Sequence, residues 1–238
     1  MYPSCYGHIC RYGYKSLMAS AALLFKGWVH VRVTRRQYML RIGLVMLQGA
    51  RHAHLKALNS VAEELQLEIE IFEIRNKNDL IQCKPHAIIL PGGESTTMRL
   101  LGNGLNSQLF PTLFEWIREN PNLPVLGTCA GAILLSDPQD DGEKIVDANI
   151  SRNAFGNQSN SFQSVISTSL LSRDFPGVFI RAPRFMNLGK KSTPVALLGE
   201  EVVGVRTNNR VALTFHPELS SDFGFHEWLL TEALEVSS

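Results

Sequence analysis

The chain has 238 residues, 45% of them hydrophobic, with 23 Lys and Arg against 22 Asp and Glu. It is only slightly longer than a usual single domain, its apolar content suffices for a sizeable core, and no apolar run reaches the ~20 residues that span a bilayer. Four cysteines, of which only Cys83 and Cys129 lie beyond residue 38, do not make a disulfide framework, so neither a disulfide scaffold nor a membrane span is expected.

Residues 1–38 stand apart. They hold six Lys or Arg and no Asp or Glu, which makes the extension +6 and the remainder −5. Three readings compete: a translation start set too early, at the expense of Met39; an organelle-targeting peptide; or a secretory signal built on the apolar run Leu17 to Phe25. The extension is expected to be poorly ordered and catalytically dispensable, with one domain over residues 39–238. The expected location is the cytoplasm, organelle targeting being left open by the extension.

From Met39 onward, strand and helix patterns alternate. Ile42 to Leu47 reads as a first strand, and Leu55, Leu58, Val61, Ala62 and Leu65 then fall on one helical face. His52 and His54 diverge on that helix and are expected at the surface rather than on a metal. Leu67 to Ile74 alternates as a second strand. Ala87-Ile88-Ile89-Leu90 is a buried strand ended by Pro91-Gly92-Gly93, after which Ser95 or Thr96 can cap a helix carrying Met98, Leu100 and Leu101. A helix is expected near Gln108 to Glu119 and a strand at Pro124 to Gly127. Further strand-like runs follow at 178–180, 195–198, 202–206 and 210–215, with a closing helix near 223–235. Such alternation predicts an α/β fold with a central, largely parallel sheet covered on both faces.

Three segments carry chemistry. Gly127-Thr128-Cys129-Ala130-Gly131 has the strand–turn–helix order of a nucleophile elbow with cysteine at its tip. A thiol at a helix N-terminus is favoured as thiolate, the reactive form, although a buried structural cysteine is the commoner fate of a free thiol. His216 closes the run before Pro217-Glu218, and a histidine two residues from a carboxylate on one extended face can act as a base oriented by it. Taken alone, that spacing is equally that of a loop histidine beside a surface glutamate. The double glycine of Pro91-Gly92-Gly93 lets backbone amides turn toward a ligand, as an oxyanion hole requires; it lacks the Gly-Lys-Ser/Thr ending of a phosphate loop.

With these segments, the chain resembles the glutaminase subunit of pyridoxal 5′-phosphate synthase, a class I glutamine amidotransferase of the vitamin B6 pathway. The resemblance spans about residues 41 to 235. It rests on Leu47-Gln48-Gly49-Ala50, Leu90-Pro91-Gly92-Gly93-Glu94-Ser95-Thr96-Thr97, Gly127-Thr128-Cys129-Ala130-Gly131, Arg152-Asn153-Ala154-Phe155-Gly156, Phe179-Ile180-Arg181-Ala182-Pro183 and His216-Pro217-Glu218-Leu219, in that order. It implies a three-layer, flavodoxin-like amidotransferase fold.

It also implies roles: Cys129 as nucleophile, His216 as general base and acid, Glu218 as the group orienting His216, and backbone N–H groups of Gly93 and Ala130 at the oxyanion. Gly93, Glu94, Ser95, Arg152, Ile180 and Arg181 would hold L-glutamine, an arginine fork suiting its carboxylate. Gln48 would lie on the loop that sets the oxyanion site once a separate synthase subunit docks. The implied reaction gives L-glutamate and ammonia, with no cofactor, metal, nucleic acid or membrane involved. Two alternatives stay open: a cysteine hydrolase of another γ-glutamyl amide, and a non-catalytic regulatory subunit. The chain departs from the family pattern at Asn157-Gln158, at the polar stretch Asp137 to Gly142, and from Arg184 to Lys191, which puts loop geometry in question rather than chemistry.

Overall fold

The computed structural model describes residues 39–49, 51–152 and 161–237. The extension over residues 1–38 and the Asn-Ala-Phe-Gly stretch after Arg152, with Asn157-Gln158, lie outside the described residues. In chain order the elements are β1 (Leu40–Val45), α1 (Arg51–Glu64), β2 (Ile69–Ile74), α2 (Lys77–Cys83), β3 (Ala87–Leu90), α3 (Ser95–Gly102), α4 (Leu109–Glu119), β4 (Val125–Thr128) and α5 (Ala130–Ser136). There follow β5 (Ala148–Ser151), β6 (Phe162–Thr168), β7 (Phe175–Phe179), β8 (Arg184–Leu188), β9 (Thr193–Leu198), β10 (Glu201–Thr207), β11 (Arg210–Leu213), a 3₁₀ turn at Pro217–Leu219 and α6 (Gly224–Ser237).

The main sheet runs β2-β1-β3-β4-β11-β10-β9-β6-β7. Its first five strands pair parallel, and the remaining four form an antiparallel wing. The parallel half therefore has the flavodoxin-like order, whose switch point lies between β1 and β3. A separate antiparallel pair joins β5 to β8.

Consecutive residues of the central strands enter opposite cores, which is why these strands read as unbroken apolar runs. Ala87 and Ile89 of β3 join Leu126 of β4 in a core with Leu58 and Val61 of α1 and Phe225 and Leu229 of α6. Ile88 and Leu90 join Val125 in the other core, with Leu80 of α2, Met98 of α3, Phe114 of α4 and Leu134 of α5. The result is the expected three-layer α/β architecture.

Several local expectations are corrected. α3 is capped by Glu94, not by Ser95 or Thr96. The Glu94 carboxylate accepts from Thr96 N at 3.0 Å and Thr97 N at 2.6 Å, spanning two amides where a hydroxyl would take one. Met98 is buried as its pattern implies, but Leu100 is 73% exposed and Leu101 48%. The polar stretch 137–142 is tied down by arginines. Arg99 donates to the Pro138 carbonyl at 2.9 Å, and Arg118 forks onto Asp140 at 2.8 and 2.7 Å.

Candidate active site

The site forms at the carboxyl ends of β3, β4 and β11. Cys129 lies between β4 and α5 with φ 49° and ψ −102°, a conformation that a non-glycine residue adopts only under constraint. The constraint is visible. Cys129 N donates to the Leu213 carbonyl at 2.8 Å, and an added Cβ at Gly131 would collide with the Leu90 carbonyl, so α5 must lie hard against β3. Ala130 opens α5, whose first N–H groups have no intrahelical partner and face the turn.

His216 follows β11, anchored by its N–H to the Val178 carbonyl at 2.8 Å. Its Nδ1 lies 2.7 Å from Glu218 Oε1, with both residues buried. The two side chains were expected to share one face of an extended segment. Instead the chain turns into the 3₁₀ segment immediately after His216, and that turn folds Glu218 back beneath the ring. The pairing holds; its cause is the turn and not the pleat.

Gly92 shows how closely the imidazole and the thiol converge. A Cβ there would overlap His216 Cε1 while standing 3.4 Å from Cys129 Cβ. Burial alone would depress the His216 pKa, but interaction with the Cys129 side chain and the hydrogen bond to Glu218 raise it to about 10. Burial would conversely raise the Glu218 pKa; the His216 hydrogen bond and neighbouring imidazoles bring it below its ordinary value. With Glu218 holding the Nδ1 proton, Nε2 is the ring nitrogen left to face the sulfur. Cys129 Sγ also lies 3.9 Å from the Ile180 carbonyl, which the turn at Arg181 (φ 46°) presents to the pocket.

The other expected residues ring this centre. Gly93 has φ 154°, open to glycine and strained for other residues, and a Cβ there would stand 3.7 Å from the Gln48 backbone. Gln48 Oε1 accepts from the Glu94 N–H at 3.2 Å, so the loop after β1 lies over the Pro-Gly-Gly turn. Arg152 reaches the first turn of α3, donating to Thr96 Oγ1 at 3.2 Å, with Asp137 4.0 Å away. Ser95 is buried at the start of α3, whereas Arg181 is exposed. Glu94 is exposed and its carboxylate, held by Thr96 and Thr97, titrates at about 2, so its side chain is already committed to the cap.

A family model for SNO glutamine amidotransferases matches residues 44–235. The chain belongs to that family. Among its relatives, the pyridoxal 5′-phosphate synthase subunit PdxT of Thermococcus onnurineus is 41% identical over 207 residues, which cover 82% of this chain and all of that protein. PdxT of Methanosarcina acetivorans is 35% identical, over 82% of this chain and 99% of its own length. A crystal structure of a glutamine amidotransferase superposes with a TM-score of 0.68 at 35% identity, covering 81% of this chain and 98% of that one. A putative GMP synthase subunit from Thermoplasma acidophilum, at 17% identity and a TM-score of 0.57, shares the fold alone.

Within this amidotransferase frame, sequence reasoning missed two features. Gly92 reads in the sequence only as half of a double glycine that frees backbone amides, yet its missing side chain also leaves the room that the His216 ring occupies beside Cys129. His54, expected at the surface, is fully buried and contacts the fully buried His226. The signal was present: His54 stands four residues before Leu58 and seven before Val61, on the stripe that faces the core. His52, by contrast, is exposed as expected. Cys83, the other cysteine among the described residues, is buried and free, and burial pushes its thiol up to about 11, an inert setting.

Proposed function

We propose that the chain hydrolyses L-glutamine to L-glutamate and ammonia through a γ-glutamyl thioester on Cys129. The ammonia passes to a separate pyridoxal 5′-phosphate synthase subunit, of the kind its relatives' names imply. One observation carries the reading: a cysteine on a strained elbow converges on a histidine whose far nitrogen is bonded to a buried carboxylate. Such an arrangement has a nucleophile, a proton carrier and an orienting group in one pocket.

In this reading the Cys129 sulfur attacks the side-chain carbonyl carbon of glutamine. The oxyanion that forms is held by the Gly93 and Ala130 N–H groups. His216, protonated in the resting site, delivers its proton to the departing nitrogen, and ammonia leaves. The neutral ring then takes a proton from water, hydroxide attacks the thioester, the sulfur leaves as the anion that began the cycle, and the new γ-carboxyl group of glutamate gives its proton to solvent. Arg152 and Arg181 suit the α-carboxylate. Glu94 and Ser95 contribute through the backbone, since the Glu94 side chain is occupied by its cap.

Gln48 connects activity to docking. Its side chain holds the Glu94 N–H in the isolated chain, so a partner that shifts this loop would reset the donors beside Gly93. Residues 39–238 carry the activity, and a chain lacking residues 1–38 keeps it.

The test is glutamine hydrolysis by the full chain, with and without its cognate synthase subunit, beside Cys129→Ala. The variant is expected to lose hydrolysis and still bind the synthase. Turnover in Cys129→Ala above a mock preparation would overturn the assignment. A preference for another γ-glutamyl amide in competition would overturn the substrate.

A further inference from the structure

Behind the proposed triad, on the side away from the sulfur, the core holds two imidazoles among apolar side chains. His54 of α1 and His226 of α6 are both fully buried. Leu58 and Val61 of α1 and Phe225 and Leu229 of α6 belong to the buried core, and Phe223 meets the His226 ring edge-on with centroids 6.2 Å apart. His54 Nδ1 lies 3.0 Å from His226 Nε2, and His54 Nε2 lies 3.6 Å from Glu218 Oε1. His54 Nε2, Glu218 Oε2 and His226 Nδ1 have no hydrogen-bond partner among the described residues. Burying two imidazoles costs desolvation that leucines would not.

Tautomers decide what this row of rings can do. A neutral imidazole has one N–H and one lone pair, assigned from the network rather than seen. If His54 donated from Nδ1 to His226, its Nε2 lone pair would point at a carboxylate, an electrostatic conflict in a dry site. If instead His226 donates from Nε2 to His54 Nδ1, then His54 carries its proton on Nε2 and aims it at Glu218. Only the second arrangement gives the buried carboxylate a further donor. The 3.6 Å separation is just beyond a hydrogen bond, and the terminal carboxyl torsion of glutamate is soft enough to close it. Burial depresses both histidine pKa values, so neither ring competes with His216 as a full cation.

We propose that His54, oriented by His226, is a positioning residue: its Nε2–H fixes the Glu218 carboxylate that in turn orients His216. The inference rests on the proposed role of Glu218 and extends the site from three residues to five, across α1, the 3₁₀ turn and α6. His54 touches no reacting atom.

Two measurements on the full chain test it. Histidine ¹⁵N NMR should show His54 and His226 as neutral Nε2–H tautomers between about pH 6 and 8; an Nδ1–H tautomer at His54 overturns the proposal without any variant. In glutamine hydrolysis with the cognate synthase subunit, His54→Leu should lower kcat roughly tenfold with KM within about twofold. His54→Gln, whose amide can donate to the same carboxylate, should recover most of the loss. Unchanged kcat in His54→Leu, or equal losses in both variants that follow their melting temperatures, sinks the positioning role. Should His54→Leu not fold, the tautomer measurement decides alone. The parent reading fails separately, by hydrolysis that persists in Cys129→Ala.

Discussion

At the scale of single residues, the chemistry depends on where side chains are absent as much as on where they are present. Gly92 is the clearest case. Its φ lies outside the left-handed region, so alanine is tolerated by the backbone there and the consequence is steric. The added methyl would drive into the His216 ring while leaving Cys129 Cβ at ordinary contact, so the imidazole must move off the sulfur. Gly92→Ala is therefore expected to keep its fold and to lose on the order of a hundredfold in kcat, the cost of a displacement of about 1 Å between reacting groups. Steady-state hydrolysis beside a thermal melt checks it; full activity would mean that the ring is not held where the structure puts it. Gly49 differs, since its φ of 114° and a collision with the Gly92 carbonyl would strain both backbone and packing.

Elements show which parts of the molecule could be read in advance. The parallel strands were legible because burial on two faces writes four consecutive apolar residues, as in Ala87 to Leu90. In the antiparallel wing, β9, β10 and the end of β7 were legible as short apolar runs, whereas β6 was not. In β6, polar and apolar residues fall on both faces: Gln163, Val165 and Ser167 are exposed, while Phe162, Ser164 and Thr168 are half-buried and Ile166 is buried, so no clean apolar alternation marks the strand. β8 was seen only as a stretch departing from a pattern, because its pairing partner β5 is distant in sequence. α2 has seven residues, too few for a periodic stripe, and its signal was the capping box of Asn76 and Asp79. In the site, residues set by local order (Cys129 after a strand, glycines before a helix) were legible. The burial of His54 was written in the apolar stripe of α1, but its pairing with His226, set by the meeting of two helices, was not. The Glu94 cap gives an element-scale prediction: Glu94→Ala should accelerate amide exchange at Thr96 and Thr97 and lower the melting temperature, while Glu94→Gln recovers part of the protection. Unaltered exchange at both amides would mean that the first turn of α3 is held by something other than the carboxylate.

The whole molecule couples its site to its stability through histidine protonation, with opposite signs on either side of neutrality. His226 is held at about 3 by burial, and the His54 pKa is lowered for the same reason. In the unfolded chain both titrate near 6.5. As pH falls below that value, the unfolded chain gains protons that the folded one refuses, so stability is lost, by up to about 1.4 kcal/mol per pH unit for each ring. Glu218, depressed in the fold, adds to the loss at lower pH, below the ordinary carboxylate range. His216 acts in reverse: raised to about 10, it keeps a proton that the unfolded chain has released above 6.5. Its contribution is complete below 6.5 and disappears as pH climbs toward 10. The two windows do not overlap, so stability should peak near pH 6.5 and decline on both sides. Urea midpoints at pH 5, 6.5 and 9 measure the dome. His226→Leu should flatten its acid limb, and Cys129→Ala, which removes one of the interactions raising His216, should flatten its alkaline limb. A wild-type midpoint higher at pH 5 than at 6.5 would show that the paired rings take up protons in the fold, and would remove the neutral tautomers on which the row from His226 to Glu218 depends.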